Sequence, residues 1–128
     1  MSILVQTTNS AFTKSFTVHI INALSNNDTP FSVHCKSQDD DLGLKTPTVG
    51  DDYNFSCRAN VFKTTRFYCN YLWGSRKQVF DVFNRYQSYE CGKIKRNNYE
   101  CFWKVQDDGF YFGGHNSPES YSKKYDWN

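Results

Sequence analysis

Apolar and polar residues alternate in short runs along most of this chain, and clusters of turn formers separate the runs. "FTVHIINAL" (16–24) alternates as a first strand, and "SNNDTP" (25–30) is a turn cluster. "FSVHCKS" (31–37) predicts a second strand with Phe31, Val33 and Cys35 on one face. "QDDDLGLKTPTVG" (38–50) is rich in turn residues and predicts a long loop. "YNFSCRANVF" (53–62) places Tyr53, Phe55, Cys57 and Ala59 on one side. "TTRFYCNYLW" (64–73) does the same for Phe67, Cys69, Tyr71 and Trp73. After the turn "GSR", "KQVFDVFNRY" (77–86) reads as a strand, although its pattern also suits a short helix. "YECGKI" and "YECFWKV" flank the turn "KRNN", and "DDG" leads into a last strand, "FYFGG". The tail "HNSPESYSKKYDWN" is polar, with Tyr125 and Trp127 able to dock it.

This gives about eight strands with short connections and no helical crossovers. The economical architecture is an all-β, antiparallel two-sheet β-sandwich. Residues 1–15 read as a flexible N-terminal arm, and residues 16–128 as a single domain without internal repeats.

Composition strengthens the β reading. Aromatic residues make up 18% of the 128 residues, and such side chains favour strands and bury large areas. The formal net charge is only +2, so nothing in it draws the chain to nucleic acid. Arg66, Phe67 and Tyr68 interleave charge with rings, but core packing accounts for most aromatics here. No run is long and apolar enough to span a bilayer, so membrane insertion is not expected. No apolar signal-peptide core follows Met1, as in a mature form with an added Met or in a cytosolic chain.

Five cysteines separate these two readings: Cys35, Cys57, Cys69, Cys91 and Cys101. No C-x-x-C pair occurs and the three histidines are scattered, so no metal site is expected. Two disulfides and one spare thiol fit better and imply an oxidising compartment. Cys35, Cys69 and Cys101 are in phase with large apolar neighbours, and Cys91 and Cys101 flank one turn. The favoured arrangement is Cys35–Cys69 across the core, Cys91–Cys101 across a hairpin, and Cys57 as a buried free thiol. Spacing alone allows fifteen arrangements of two bridges among five cysteines, and Cys57 competes for either partner.

The matching segments run in order: "VHIINAL", "VHCKSQDDDLG", "GDDYNF", "TTRFYCNYLW", "YECGK" and "CFWKVQDDGFY". With them the chain resembles the plant self-incompatibility protein, or S-protein homologue, family over nearly everything after the arm. The resemblance implies a small, secreted, disulfide-bonded β-sandwich made with a signal peptide in its precursor. It also implies a ligand for a plasma-membrane receptor, without enzymatic activity or cofactor. The cysteines that match the family pattern are Cys35, Cys69, Cys91 and Cys101, whereas Cys57 stands where an aromatic residue is usual.

The candidate chemistry is sparse. Consecutive Asp39, Asp40 and Asp41 lack the alternating spacing with which a loop wraps calcium. They also lack the apolar wall that raises a carboxyl pKa for acid catalysis. A turn explains them: aspartates accept backbone N–H groups, Leu42 tucks under, and Gly43 takes positive φ. His34 and Cys35 alternate to opposite faces, so they form no nucleophilic pair. His34, and His19 likewise, read as solvated or inter-strand histidines, and His115 in a Gly-rich loop shows no partner in sequence. Asn27-Asp28-Thr29 and Asn54-Phe55-Ser56 are N-glycosylation sequons, the first handicapped by Pro30.

Partner-binding residues are expected on loops of the rigid scaffold: Asp39, Asp40 and Asp41; Arg96, Asn97 and Asn98; Asp107 and Asp108. The resulting expectation is a secreted, extracellular, monomeric recognition protein. The competing readings are a secreted carbohydrate-binding module and a secreted enzyme or lytic effector.

Overall fold

A computed structural model describes residues 13–60 and 65–128. Among the described residues ten strands form: β1 (Thr13–Asn22), β2 (Phe31–Lys36), β3 (Asp41–Lys45), β4 (Asp52–Asn60), β5 (Phe67–Trp73), β6 (Arg76–Phe83), β7 (Gly92–Lys95), β8 (Asn98–Gln106), β9 (Gly109–Gly113) and β10 (Ser122–Tyr125). Single 3₁₀ turns occupy Gln87–Glu90 and Pro118–Ser120. The segment 77–86, ambiguous in sequence, is strand as far as Phe83.

The strands sort into two sheets. One runs β10-β9-β8-β1-β4, with β7 also paired to β8; the other runs β3-β2-β5-β6. The fold is therefore an all-β two-sheet sandwich, with three corrections to the expectation. The loop 38–50 contains β3, and the polar tail contains β10, so ten strands replace about eight. The sheets are not wholly antiparallel, because β1 and β8 pair in parallel from Ser15↔Asn98 to Asn22↔Val105. And β1 begins at Thr13, so the last three residues of the expected arm are strand. Residues 1–12 of that arm lie outside the described residues, as do residues 61–64.

Alternation builds the core. Phe16, Val18 and Ile20 of β1 and Trp103 and Val105 of β8 face Val33 and Cys35 of β2, Tyr71 of β5 and Phe80 and Val82 of β6, all buried. Burying a side chain of this class contributes roughly 1.5–3 kcal/mol, which is why the aromatic-rich alternating runs find each other. Some rings pack tilted or edge-on, as in Phe80–Trp103 at 4.9 Å and Phe80–Phe110 at 5.0 Å, and others stack, as in Tyr71–Phe80 at 4.9 Å.

Two disulfides lie in this core. Cys35 joins Cys69 between adjacent strands β2 and β5, within one sheet rather than across the two. The core-spanning geometry expected for this bridge is thus replaced by a cross-strand one. Cys91, just before β7, joins Cys101 of β8. Cys57 is free and half-buried on β4, packed against the edge of the core.

The C-terminal residues close one side of the sandwich. The Trp127 ring lies 4.5 Å from Phe110 and 5.6 Å from Trp73, and its Nε1 donates to the Gln106 carbonyl at 2.9 Å. Asn128 and Lys77 exchange two main-chain hydrogen bonds at 2.9 and 3.1 Å, so the end of the chain covers the start of the β6 edge.

Candidate functional site

The strand register sets which loops share an end of the sandwich. Ser15 at the start of β1 donates its N–H to Asn97 O in the β7–β8 turn, while Asn22 at the end of β1 lies beside Val105. The Arg96–Asn97 turn and the β4 segment Ser56–Arg58 therefore lie at one end, and the Asp107–Asp108 turn lies at the other. The sequence offered three loop groups as partner-binding; the fold does not bring all three together.

A cleft of about 830 Å³ opens at the first end. It is lined by Ser37–Asp40 of the β2–β3 loop, Ser56–Arg58 of β4, and Thr65–Tyr68 leading into β5. Arg66 Nε donates to both carboxylate oxygens of Asp81 at 2.9 and 3.0 Å, and its guanidinium sits 5.0 Å from the Tyr68 ring centre. Arg66, Phe67 and Tyr68 are thus used internally: Phe67 is buried, and Arg66 joins β5 to β6. Burial pushes the Cys57 thiol at the cleft up to about 11, which keeps it protonated and unreactive at neutral pH.

The three aspartates diverge. Asp41 organises the loop through its side chain: its Oδ1 lies 2.6 Å from His34 Nε2 and accepts the Gly43 N–H at 2.9 Å. The His34 hydrogen bond, then the Gly43 N–H, hold its carboxyl below the usual carboxylate range. Gly43 takes φ +84, and Leu42 packs against the core. Asp39 and Asp40 line the cleft instead. Among the described residues, no group of three or more His, Cys, Asp or Glu side chains is arranged to hold a metal ion.

Asp107 and Asp108 are also tied into the fold. Asp107 Oδ1 accepts the Ser25 N–H at 3.0 Å, and Asp108 Oδ2 accepts the Tyr111 hydroxyl at 2.7 Å. Asn97 adopts φ +63 in a two-residue turn with Arg96, a conformation asparagine tolerates well. Asn98 is the first residue of β8. Of the sequons, Asn54 is exposed on the outward side of β4, whereas Asn27 Oδ1 accepts the Val49 N–H at 2.8 Å and steadies the following loop.

Two features escaped sequence reading: the carboxylate partners of the inter-strand His19, and a group of exposed side chains. His19 sits on the outer face of the larger sheet, stacked on Phe102 at 4.4 Å. Its Nδ1 is 2.8 Å from Asp52 Oδ2 and its Nε2 is 3.1 Å from Glu100 Oε1. With one ring nitrogen on each carboxylate, His19 links β4 and β8 to the strand between them. No nucleophile accompanies it, and sequence spacing of 33 and 81 residues hides the cluster. The second feature is the exposure of Tyr86, Tyr89 and Ile94, which alternation alone does not reveal.

What this scaffold offers is a rigid frame with loops and exposed side chains. The class it defines is a small disulfide-bonded β-sandwich without a convergent catalytic group among the described residues. A family model described as "Plant self-incompatibility protein S1" matches residues 17–127, and the chain belongs to that family. It is 37% identical to Self-incompatibility protein S1 of Papaver rhoeas over 102 residues, 80% of this chain and 70% of that protein. It is 36% identical to S-protein homolog 2 of Arabidopsis thaliana over 103 residues, 80% of this chain but 63% of that protein, somewhat under two thirds of its length. S-protein homolog 21 of Arabidopsis thaliana is 33% identical over 113 residues, 88% of this chain and 83% of that protein.

Proposed function

We propose that this chain is a secreted, extracellular recognition ligand for a plasma-membrane receptor, acting as a monomer without catalysis, cofactor or nucleic acid. Membership of the self-incompatibility S1 family carries this reading. The two core disulfides support an oxidising compartment, because such bridges persist where thiols are not kept reduced. The internal use of Asp41, Arg66, Asp107 and Asp108 argues against a catalytic role for these charges. Residues 16–128 act as the recognition domain, and Asn54 and Asn27, both exposed, are its candidate glycan acceptors.

Saturable, protease-sensitive binding of the labelled, disulfide-intact protein to plant protoplasts is the expected result. Turnover of an ester, glycan or RNA substrate that a single substitution abolishes would overturn the reading in favour of an enzyme. A clear hit on a glycan array with no protein receptor would favour the carbohydrate-binding alternative. Five reduced thiols in protein from its natural source would remove the secretion claim.

A further inference from the structure

We propose that the segment from Arg85 to Arg96 is a preorganised docking surface for an acidic segment of a partner protein, with Tyr86 and Tyr89 as its aromatic anchors. The proposal deepens the receptor-ligand reading above and rests on it for the nature of the partner.

Exposure is the first observation. Tyr86 is 75% exposed, Tyr89 71% and Ile94 55%, so three large side chains in one short segment remain in water. Scattered exposed apolar residues are ordinary. These are not scattered: Tyr86 and Tyr89 are three apart across a 3₁₀ turn, where side chains at that spacing eclipse on one face. Tyrosine is enriched at interface cores, and it loses little side-chain entropy on binding because only two torsions are fixed.

Rigidity is the second. Asp81, paired with Arg66, accepts the Asn84 side-chain amide at 3.0 Å, and Asn84 Oδ1 accepts the Gln87 N–H at 2.7 Å. Ser88 is buried beneath the turn, with its hydroxyl donating to the Arg85 carbonyl at 2.7 Å. The Cys91–Cys101 bridge then anchors the segment to β8. Ser88 therefore points in while both tyrosines point out, and binding need not order the backbone that presents them.

Charge is the third, and it selects the occupant. Between positions 85 and 96 the chain carries Arg85, Lys93, Lys95 and Arg96 against the single acid Glu90. Glu90 faces Lys124 at 3.5 Å, and the Arg85 guanidinium sits 6.0 Å from the Tyr86 ring centre. Lys93, Lys95 and Arg96 form no ion pair with any described residue. This local excess in one short segment contrasts with a net charge of only +2 for the chain, so it is not a general basicity. Basic residues in the same segment as aromatic anchors complement a carboxylate-rich segment, steering its approach while the rings supply contact area.

The test uses the full disulfide-intact chain and fluorescein-labelled poly-glutamate, followed by fluorescence anisotropy at low ionic strength. Lys93→Glu with Lys95→Glu should abolish binding. Lys45→Glu with Lys77→Glu, an equal charge change on the other sheet, should leave most of it. Tyr86→Ala with Tyr89→Ala, at unchanged charge, should weaken binding about tenfold, as loss of an interface anchor does. Equal losses from the two lysine pairs, or no loss from the tyrosine pair, would overturn the proposal. Patch-dependent retention on phosphatidylserine vesicles without poly-glutamate binding would also overturn it, in favour of a membrane surface. Protoplast binding separates the two claims. If the wild type and both patch variants bind cells equally, the patch fails and the receptor reading stands. If poly-glutamate binding depends on the patch but no cell binding occurs, the receptor reading fails and the patch stands.

Discussion

The indole Nε1 of Trp103 donates a hydrogen bond to the Val82 carbonyl at 2.9 Å, joining β8 of one sheet to β6 of the other through the buried core. Side chains facing each other across a sandwich usually meet only by apolar contact, which fixes distance but not register. This bond adds direction. Trp103→Phe keeps an aromatic ring but leaves the carbonyl without that donor and opens a void. The expected loss is about 2–3 kcal/mol, read as a lower urea midpoint at unchanged slope.

The two disulfides should differ in weight. Cys35 and Cys69 are separated by 34 positions, Cys91 and Cys101 by 10. Restricting the unfolded chain favours the longer loop by about 1 kcal/mol. Urea unfolding of the Cys35→Ala/Cys69→Ala and Cys91→Ala/Cys101→Ala variants should therefore show the larger loss for the first pair. Equal losses would mean that native contacts, not loop entropy, set their value.

Acid sensitivity should map partly to Asp41. Its folded pKa is lowered by His34 and the Gly43 N–H from an ordinary 3.8. A carboxyl depressed on folding contributes stability above its unfolded pKa and loses it as pH falls through the lower folded value. Asp41→Asn should therefore reduce stability at pH 6 and flatten the pH dependence below pH 4. Chemical denaturation across that window checks both. An unchanged acid limb would show that the pair is solvent-screened into insignificance.

The Cys57 thiol should be slow. With its pKa raised by burial from 9.0 to about 11, native thiolate is scarce at pH 8. Reaction with Ellman's reagent should be roughly a hundredfold slower in the native than in the unfolded chain, and one thiol should react. Fast labelling of native protein would place Cys57 in open solvent.

How far the sequence spoke is clear from particular residues. Val33, Cys35, Cys69, Tyr71, Trp103 and Val105 alternate strongly, and each is buried or near-buried on its strand. Period-two patterning reports burial directly, so the two sheets' inner faces were readable. β3 was hidden because only Leu42 on it packs inward and Leu44 faces water, so a polar edge strand looks like loop. β10 was hidden likewise, since Ser122–Tyr125 is exposed throughout and held by its partner β9. The parallel β1–β8 pairing has no local signature at all, because its residues are some 80 positions apart and only the assembled sheet decides it. The same distance hid the Asp52–His19–Glu100 cluster. The exposed tyrosines were hidden for a different reason: an aromatic residue in a short connection carries no pattern that distinguishes core from surface.

That parallel pairing has a consequence for how the chain is made. A protein leaves the ribosome from its N-terminus, and strands can pair only with what has already emerged. Every strand of the smaller sheet lies between Phe31 and Phe83, so that sheet and its bridge can close early. β1, the first of the described strands in chain order, sits between β4 and β8, and β8 ends only at Gln106. One main-chain edge of β1 therefore waits unpaired until Asn98–Gln106 has been made. A nascent chain arrested before Asn98 would hold a closed small sheet beside an unpaired strand edge, a form that chaperones or sister chains would capture.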